Sequence, residues 1–305
     1  MYKKILINIL VISALIVGLS YYFHNNSQAS TDSEDSPKKV LTIKKKQSII
    51  KTNLTNYLKT VTKDGTASVS FYNLGNDGSS NNQYAKVHQK GALEVESNAT
   101  AVMTAASTYK LYLTAFLMHQ KQNGDFSWTS ENETGFTKMI VNSENDFAEE
   151  QILNNGADTI SSFIASQGWY PKVFQTDEAA QTTSYSLQLL LESLEAGTGV
   201  FQDPFDQSMI LNLMGKQIYR SGIPAGAAAA ETGTTVQDKV GFLEDTNNDA
   251  GIVTLPNGQK YILVIMTNGH NQSGLSGFSR IAKITKNVQK IVYGSHAGEK
   301  LVNYS

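Results

Sequence analysis

The sequence contains no cysteine among its 305 residues, and it has only five prolines. The absence of cysteine excludes disulfide bonds, a thiol nucleophile, thiolate-bound metal and a lipid-modified cysteine. Charged residues make up 17% of the chain and the formal net charge is −2, whereas globular domains usually carry about 25% charged residues. Proteins that coat nucleic acid usually show a dominant basic patch. We therefore expect no nucleic-acid partner, and a fold stabilised by apolar burial and backbone hydrogen bonds.

Common metal and cofactor motifs are also missing. The five histidines form no His-x-x-x-His pair and no glutamate-flanked cluster, so the sequence predicts no metal site. No Gly-x-Ser-x-Gly elbow and no phosphate-binding loop occur. The pair Gly197-x-Gly199 continues to Gln202, where a dinucleotide fingerprint requires a third glycine. We expect no cofactor, which leaves chemistry carried by side chains alone.

The N-terminus has the features of an export segment. Lys3 and Lys4 precede an apolar run over residues 5–23, which is long enough for a signal peptide or for a membrane-spanning helix. The two lysines favour the cytoplasmic side, so the remainder of the chain is predicted to lie outside the cytoplasm. The small residues Ser27 and Ala29 would permit cleavage. Residues 1–24 are therefore predicted to be a signal peptide or an N-terminal membrane anchor.

The next segment predicts a tether. Residues 25–47 are rich in Ser, Asp and Asn, and they include three consecutive lysines at 44–46. Such a segment has too little apolar surface to form a core. We predict a disordered tether over residues 25–47 and a single folded domain over residues 48–305.

Hydrophobic patterns in the folded region indicate an α/β (α+β) domain. Helical spacing begins at Ile49, and residues 67–74 alternate as in a strand. A helix over residues 108–122 is apolar on more than one face, which predicts a buried central position. Strand patterns recur over residues 237–267, with a hairpin at Asn257-Gly258, before a last helix. We expect an antiparallel sheet, closed by strands from both ends of the domain and flanked by helices.

A serine and a lysine lie three residues apart in Ser107-Thr108-Tyr109-Lys110. On a helix this spacing places both side chains on one face, where a lysine of lowered pKa can take the serine proton. Ser36-x-x-Lys39 and Ser48-x-x-Lys51 match the same pattern, but they lie in or beside the predicted tether, whereas Ser107 opens the central helix. The alternative is that Ser107 is merely a helix N-cap and Lys110 a solvated side chain.

Two further motifs suit the same chemistry. Ser143-Glu144-Asn145 supplies a second hydroxyl to shuttle a proton and an amide to hold a substrate. The same tripeptide occurs at residues 130–132, in a polar loop context, whereas Ser143 is flanked by apolar segments. Lys239-Val240-Gly241 offers positive charge and a close backbone approach on a strand. The alternative for Lys239 is an ordinary edge-strand lysine that discourages aggregation.

In this order, the three motifs resemble the boxes of the penicillin-recognising serine hydrolases, specifically the class A β-lactamase-like family. The resemblance covers roughly residues 67–293, including the stretches Tyr219 to Gly226 and Asn248 to Ala250. It implies a β-lactamase/transpeptidase-like fold in which an all-helical lobe faces an α/β lobe, with the site between them.

The resemblance also implies a role for each motif residue. It makes Ser107 the acylated nucleophile, Lys110 its base and Ser143 the proton shuttle. It makes Asn145 a contact of the substrate amide, and it makes Lys239, which is followed by Val240 and Gly241, the group that binds the substrate carboxylate. The oxyanion hole would be formed by the backbone N–H groups of Ser107 and Phe242.

Three positions depart from the family pattern. Glu144 stands where the second box has aspartate, and Val240 lacks the hydroxyl that would bond a substrate carboxylate. The loop glutamate that activates the deacylating water has no clear counterpart; Glu178 is the best candidate in residues 174–181.

The sequence therefore predicts an exported, monomeric serine hydrolase that forms an acyl-enzyme with β-lactams or D-Ala-terminated cell-wall peptides, and it leaves deacylation open. If the N-terminal segment is uncleaved, it would tie the protein to the membrane. One alternative is a wall-tethered penicillin-binding-like module with little or no turnover. Another is an amidase or esterase of the same serine–lysine type.

Overall fold

The computed structural model describes residues 35–76, 83–175 and 177–304. The chain divides by its contacts at residue 45, and the fold described below is that of the second unit, residues 46–305. The segment predicted as a signal peptide or anchor, residues 1–24, lies outside the described residues. Within the described part of the chain, no helix is long and apolar enough to cross a membrane.

The first described helix, α1, begins earlier than the hydrophobic pattern predicts. It runs over Asp35–Thr62, so residues 35–47 of the predicted disordered tether are helical here. Proline is tolerated in the first turn of a helix, where Pro37 lies, and the following Lys, Leu and Gln residues are good helix formers. Ile50, Leu54 and Leu58 recur at four-residue spacing and are fully buried. This apolar face holds the C-terminal part of α1 against the domain.

Five antiparallel strands form the central sheet in the order β2-β1-β7-β6-β5. Strand β1 pairs with β7 from Ala67 opposite Thr267, so the first and last long strands lie side by side, as predicted. The hairpin at Asn257-Gly258 joins β6 to β7. These features confirm the antiparallel sheet flanked by helices. The strand bounds are β1 Ala67–Asn76, β2 Val95–Ser97, β3 Met103–Thr104, β4 Gln181–Thr182, β5 Thr235–Leu243, β6 Thr246–Thr254 and β7 Gln259–Thr267.

Helices cover both faces of this sheet. Their bounds are α2 Gln83–Val87, α3 Lys110–Asn123, α4 Ser130–Val141, α5 Asp146–Asn155, α6 Ala157–Ser166, α7 Ser184–Ala196, α8 Pro204–Gly215, α9 Ile223–Ala230 and α10 Phe278–Tyr293. Side chains alternate across a strand. Accordingly, Ile262 and Val264 of β7 join the core formed with α3 and α7, while the Tyr261 hydroxyl donates to Gln289 of α10 at 2.8 Å.

Helix α3 lies at the centre of the helical layer. All residues from Lys110 to Met118 are buried, which confirms the central position predicted from its apolar pattern. Strand β3 lies just before it in the chain and pairs with β4, which follows α6. The N-terminus of α3 is therefore held between the helical layer and the edge strand β5.

Candidate active site

Ser107 lies in a single 3-10 turn, Ala106–Tyr109, that leads directly into α3. Ala106 has a φ of +45°, a left-handed conformation that is costly for a residue with a Cβ atom and that is often retained at functional sites. The Ala105 N–H donates to the Ala180 carbonyl at 2.7 Å, and Thr108 Oγ1 donates to the Ala105 carbonyl at 2.6 Å. These bonds hold the turn, and neither it nor α3 has a side-chain cap. Ser107 therefore does not act as the N-cap that the alternative interpretation required.

Lys110 is the group that links the turn to the rest of the site. Its side chain is fully buried, and Nζ lies 3.2 Å from Ser107 Oγ, 2.7 Å from the Ser143 carbonyl oxygen and 2.7 Å from Asn145 Oδ1. Burial lowers the pKa of Lys110 to about 8, an effect that the charges of Glu149 and Glu144 partly oppose. Lys110 is thus not a solvated side chain, and near neutral pH part of it is unprotonated.

Ser143 and Asn145 lie at the junction of α4 and α5. Ser143 has a φ of +62°, which presents its carbonyl oxygen to Lys110 while its hydroxyl oxygen accepts from Lys239 Nζ at 2.7 Å. Asn145 occupies the N-cap position of α5 without making a cap bond, because its side-chain oxygen faces Lys110 instead. The rival tripeptide at residues 130–132 forms the first turn of α4, where Asn132 N–H donates to Thr129 Oγ1. Of the two copies, the structure brings the one at 143–145 to Ser107.

Lys239 approaches the same point from β5. It is fully buried and donates to Ser143 Oγ and to the Val240 carbonyl oxygen. Burial and the nearby Lys110 hold the pKa of Lys239 well below its usual range. Although β5 is an edge strand of the described sheet, Lys239 does not face solvent as an aggregation-blocking lysine would. The Val240 side chain is also fully buried, so it offers no surface to a ligand in this conformation.

Gly241 is where the strand touches the nucleophile turn. A Cβ atom at this position would lie 2.8 Å from the Ala105 carbonyl oxygen, 2.9 Å from Ser107 N and 2.9 Å from Thr108 N. All three neighbours are backbone atoms, so the approach is possible only for glycine. Phe242, the next residue, is half-buried and its ring packs edge-on against Tyr219 with centroids 5.2 Å apart. The backbone at 241–242 therefore runs beside Ser107.

Glu178 does not join this cluster. Its side chain is exposed in the loop before β4 and accepts a hydrogen bond from Gln175 Nε2 at 3.1 Å. Within the described residues it makes no hydrogen bond or ion pair with Ser107 or Lys110. The structure thus brings together Ser107, Lys110, Ser143, Asn145, Lys239 and Gly241, and leaves Glu178 at the surface.

Sequence reasoning assigned no role to a buried acidic pair behind Lys239. Asp238 and Asp249 are both fully buried; Arg220 forms an ion pair with Asp238, and the Ile223 N–H donates to Asp249 Oδ2 at 2.8 Å. Burial raises the pKa of Asp249 to about 6 and that of Asp238 well above its usual range. The available signal was an acidic residue inside each of two neighbouring strand patterns, Asp238 in β5 and Asp249 in β6, because a buried carboxylate is rare without a partner.

Comparisons with known proteins give a family and a fold for the chain. The family described as the β-lactamase enzyme family matches residues 131–292. Among solved structures, PBP-A is similar at 20% identity, with a TM-score of 0.63, over 79% of this chain and 95% of that chain. A β-lactamase from Sphaerobacter thermophilus DSM 20745 is 17% identical, with a TM-score of 0.60, over 78% and 96% of the two chains.

A further solved structure is a mutant of PBP-A described as an acyl-enzyme complex with penicillin G. It is 20% identical, with a TM-score of 0.61, and the match covers 78% of this chain and 97% of that chain. No curated protein matches the sequence. At these identities the solved structures establish the likeness of fold.

Proposed function

Because the chain belongs to the β-lactamase enzyme family, we propose that it is a serine hydrolase acylated on Ser107. The observation that carries this proposal is Lys110, whose buried amine lies 3.2 Å from Ser107 Oγ. As an ammonium it donates to three neutral oxygens. Loss of one proton leaves a lone pair beside Ser107, because the two shorter bonds retain the remaining hydrogens. Lys110 is then placed to act as the general base.

In the proposed acylation step, Ser107 Oγ attacks the substrate carbonyl carbon and its proton passes to Lys110. The carbon–nitrogen bond breaks as the Ser143 hydroxyl donates its proton to the leaving nitrogen. The bond from Lys239 Nζ to Ser143 Oγ supports this role, because a hydroxyl that already accepts from a cation directs its own hydrogen elsewhere. Lys110 then returns a proton to Ser143, which completes the proton balance.

The oxyanion hole in this proposal consists of the backbone N–H groups of Ser107 and Phe242. The contact of Gly241 with the Ser107 turn supports it, since it brings the two backbone segments within van der Waals distance. A substrate carboxylate would be drawn to the positive charge of Lys239, and Asn145 would contact the amide of the substrate. Val240 supplies no hydroxyl, so we expect weaker carboxylate binding than a serine or threonine would allow.

We propose β-lactams or D-Ala-terminated cell-wall peptides as substrates. The lysine-flanked apolar run before residue 24 supports a location outside the cytoplasm, where such peptides occur. We further propose that the protein acts as a monomer, and that it is held at the membrane if the N-terminal segment is retained.

Glu178 is the loop carboxylate that we would assign to activation of the deacylating water. Its exposure and its bond to Gln175 favour a second candidate function. In that alternative the acyl-enzyme persists, and the protein is a penicillin-binding-like module with little turnover. The two candidates share the acylation step and differ only in the lifetime of the ester.

Intact-mass spectrometry of the full-length protein mixed with penicillin G tests the proposal. We expect a mass increase of one penicillin on the wild type and none on Ser107→Ala. A transient adduct with accumulating hydrolysed antibiotic supports the hydrolase, and a lasting adduct supports the binding module. Absence of any adduct on the wild type would reject acylation by penicillins.

A further inference from the structure

We infer that Glu149 is the counter-charge of Lys110: its carboxylate stabilises the ammonium that forms when Lys110 takes the Ser107 proton. This inference rests on the proposed acylation chemistry and adds a residue that the three motifs do not contain. Glu149 acts through Lys110, so it is a positioning residue and not a catalytic one. It follows from the charge balance of the site and from the geometry of α5.

The charge balance of the site requires such a group. Lys110 and Lys239 are both fully buried, and the hydrogen-bond acceptors facing them are neutral oxygens. No ion pair of either lysine occurs within the described residues. A buried ammonium without a nearby negative charge is strongly unfavourable. The developing charge on Lys110 therefore depends on a carboxylate that lies close but outside hydrogen-bond contact.

The geometry of α5 supplies that carboxylate. Asn145, whose side-chain oxygen accepts from Lys110 at 2.7 Å, caps α5, and the Glu149 N–H donates to the Asn145 carbonyl at 2.8 Å. Glu149 is thus one turn further along the same helix face. Long helical side chains point back toward the N-terminus, over the residue four positions earlier. The Glu149 side chain is therefore directed over the amide that touches Lys110.

Other charged groups near Lys110 are less suited to this role. Glu144 is engaged by Asn142 at 2.9 Å and lies 3.9 Å from Lys138. Lys239 approaches from β5 and is itself a base whose pKa is lowered by burial and by the nearby Lys110, so it cannot stabilise an ammonium on Lys110. Tyr109, on the same turn, stays neutral because burial and Glu149 raise its pKa to about 12. Within the described residues the Glu149 carboxylate makes no hydrogen bond and no ion pair, so its charge is available to Lys110.

Glu150 provides a matched control. It is also an exposed glutamate of α5, but the 100° step between helical residues turns it away from Asn145. Glu149→Gln and Glu150→Gln remove the same charge, and both keep the side-chain length. The measurement is the acylation rate with a fluorescent penicillin from pH 6 to 10, at low and high salt, together with the thermal unfolding temperature.

We expect Glu149→Gln to lower the midpoint of the pH profile by about 0.2 to 0.7 pH unit, the effect of one screened surface charge. High salt should move the wild-type midpoint toward that of Glu149→Gln and leave the variant unchanged. Glu150→Gln should shift the midpoint by less than half as much. Equal shifts in the two variants, or no shift in Glu149→Gln, would overturn the inference.

A direct titration separates this inference from the proposed function. In protein with 13C-labelled lysine, the Lys110 signal, assigned with Lys110→Arg, reports its pKa without any substrate. A lower Lys110 pKa in Glu149→Gln than in Glu150→Gln supports the counter-charge even if penicillin leaves the wild type unmodified. An unchanged Lys110 pKa in Glu149→Gln refutes it even if acylation proceeds.

Discussion

One methyl group at Gly241 tests whether strand β5 holds the nucleophile turn in its working position. In Gly241→Ala the new Cβ atom would lie 2.8 to 2.9 Å from three backbone atoms of residues 105–108. Non-bonded contacts to carbon normally begin near 3.5 Å, so the strand and the turn must separate by about half an ångström. The turn cannot yield by a side-chain rotation, because every clashing atom belongs to the backbone.

This separation has two measurable consequences. Misplacing reacting groups by about 1 Å costs roughly 100-fold in rate, and weakening one oxyanion donor costs about as much. We therefore expect Gly241→Ala to acylate about 10- to 100-fold more slowly. Overpacking should also destabilise the fold by about 1–3 kcal/mol, which lowers the unfolding temperature by several degrees.

Gly215→Ala is the matched control for this substitution. Gly215 ends α8, and an added Cβ atom would meet only the Gln237 Cγ atom, at an ordinary 3.7 Å. We expect its acylation rate to stay at the wild-type value. Its unfolding temperature should stay unchanged or rise slightly, because alanine is a better helix former than glycine. The assay is labelling by a fluorescent penicillin with a parallel thermal melt. The reasoning would be refuted if Gly241→Ala were acylated at the wild-type rate, or if the acylation rate fell equally in both variants.

Two further predictions concern pH. Burial lowers the pKa of Lys110 to about 8, and Lys110 must be unprotonated to act as the base. The wild-type acylation rate should therefore rise about tenfold per pH unit below pH 8 and level off above it. A rate that is flat from pH 6 to 9 would contradict this. Burial raises the pKa of Asp249 from 3.8 to about 6, so the folded state retains a proton that the unfolded chain releases. Its stabilising contribution is present below pH 4 and is lost as the pH rises through 6. Asp249→Asn, which keeps an acceptor for the Ile223 N–H, should remove on the order of 3 kcal/mol of this pH dependence in urea titrations. Identical pH dependence in the wild type and the variant would contradict it.

Much of the fold could be predicted because the relevant signals are local. The buried helix α3 and the hairpin at Asn257-Gly258 follow from short patterns of apolar and turn residues. The start of α1 was missed because backbone propensity, rather than apolar periodicity, extends the helix to Asp35. The spacing of Ser107 and Lys110 was likewise visible, because three residues on one turn place two side chains together whatever surrounds them.

Only the tertiary structure decided which copies of the repeated motifs meet. The three Ser-x-x-Lys patterns have the same residues at the same spacing, and so do the two Ser-Glu-Asn patterns. Lys110 reaches Ser143 across 33 residues, and Lys239 reaches it across 96. Such contacts arise where the α4–α5 junction and strand β5 meet the first turn of α3, which local spacing does not encode. The tertiary structure also buries Val240 of β5, whereas Glu178 lies exposed in the loop before β4. The sequence by itself therefore determined the chemical groups and their order along the chain. The pKa of each lysine, and which serine it contacts, depend on burial and on neighbours that the fold brings together from distant parts of the chain.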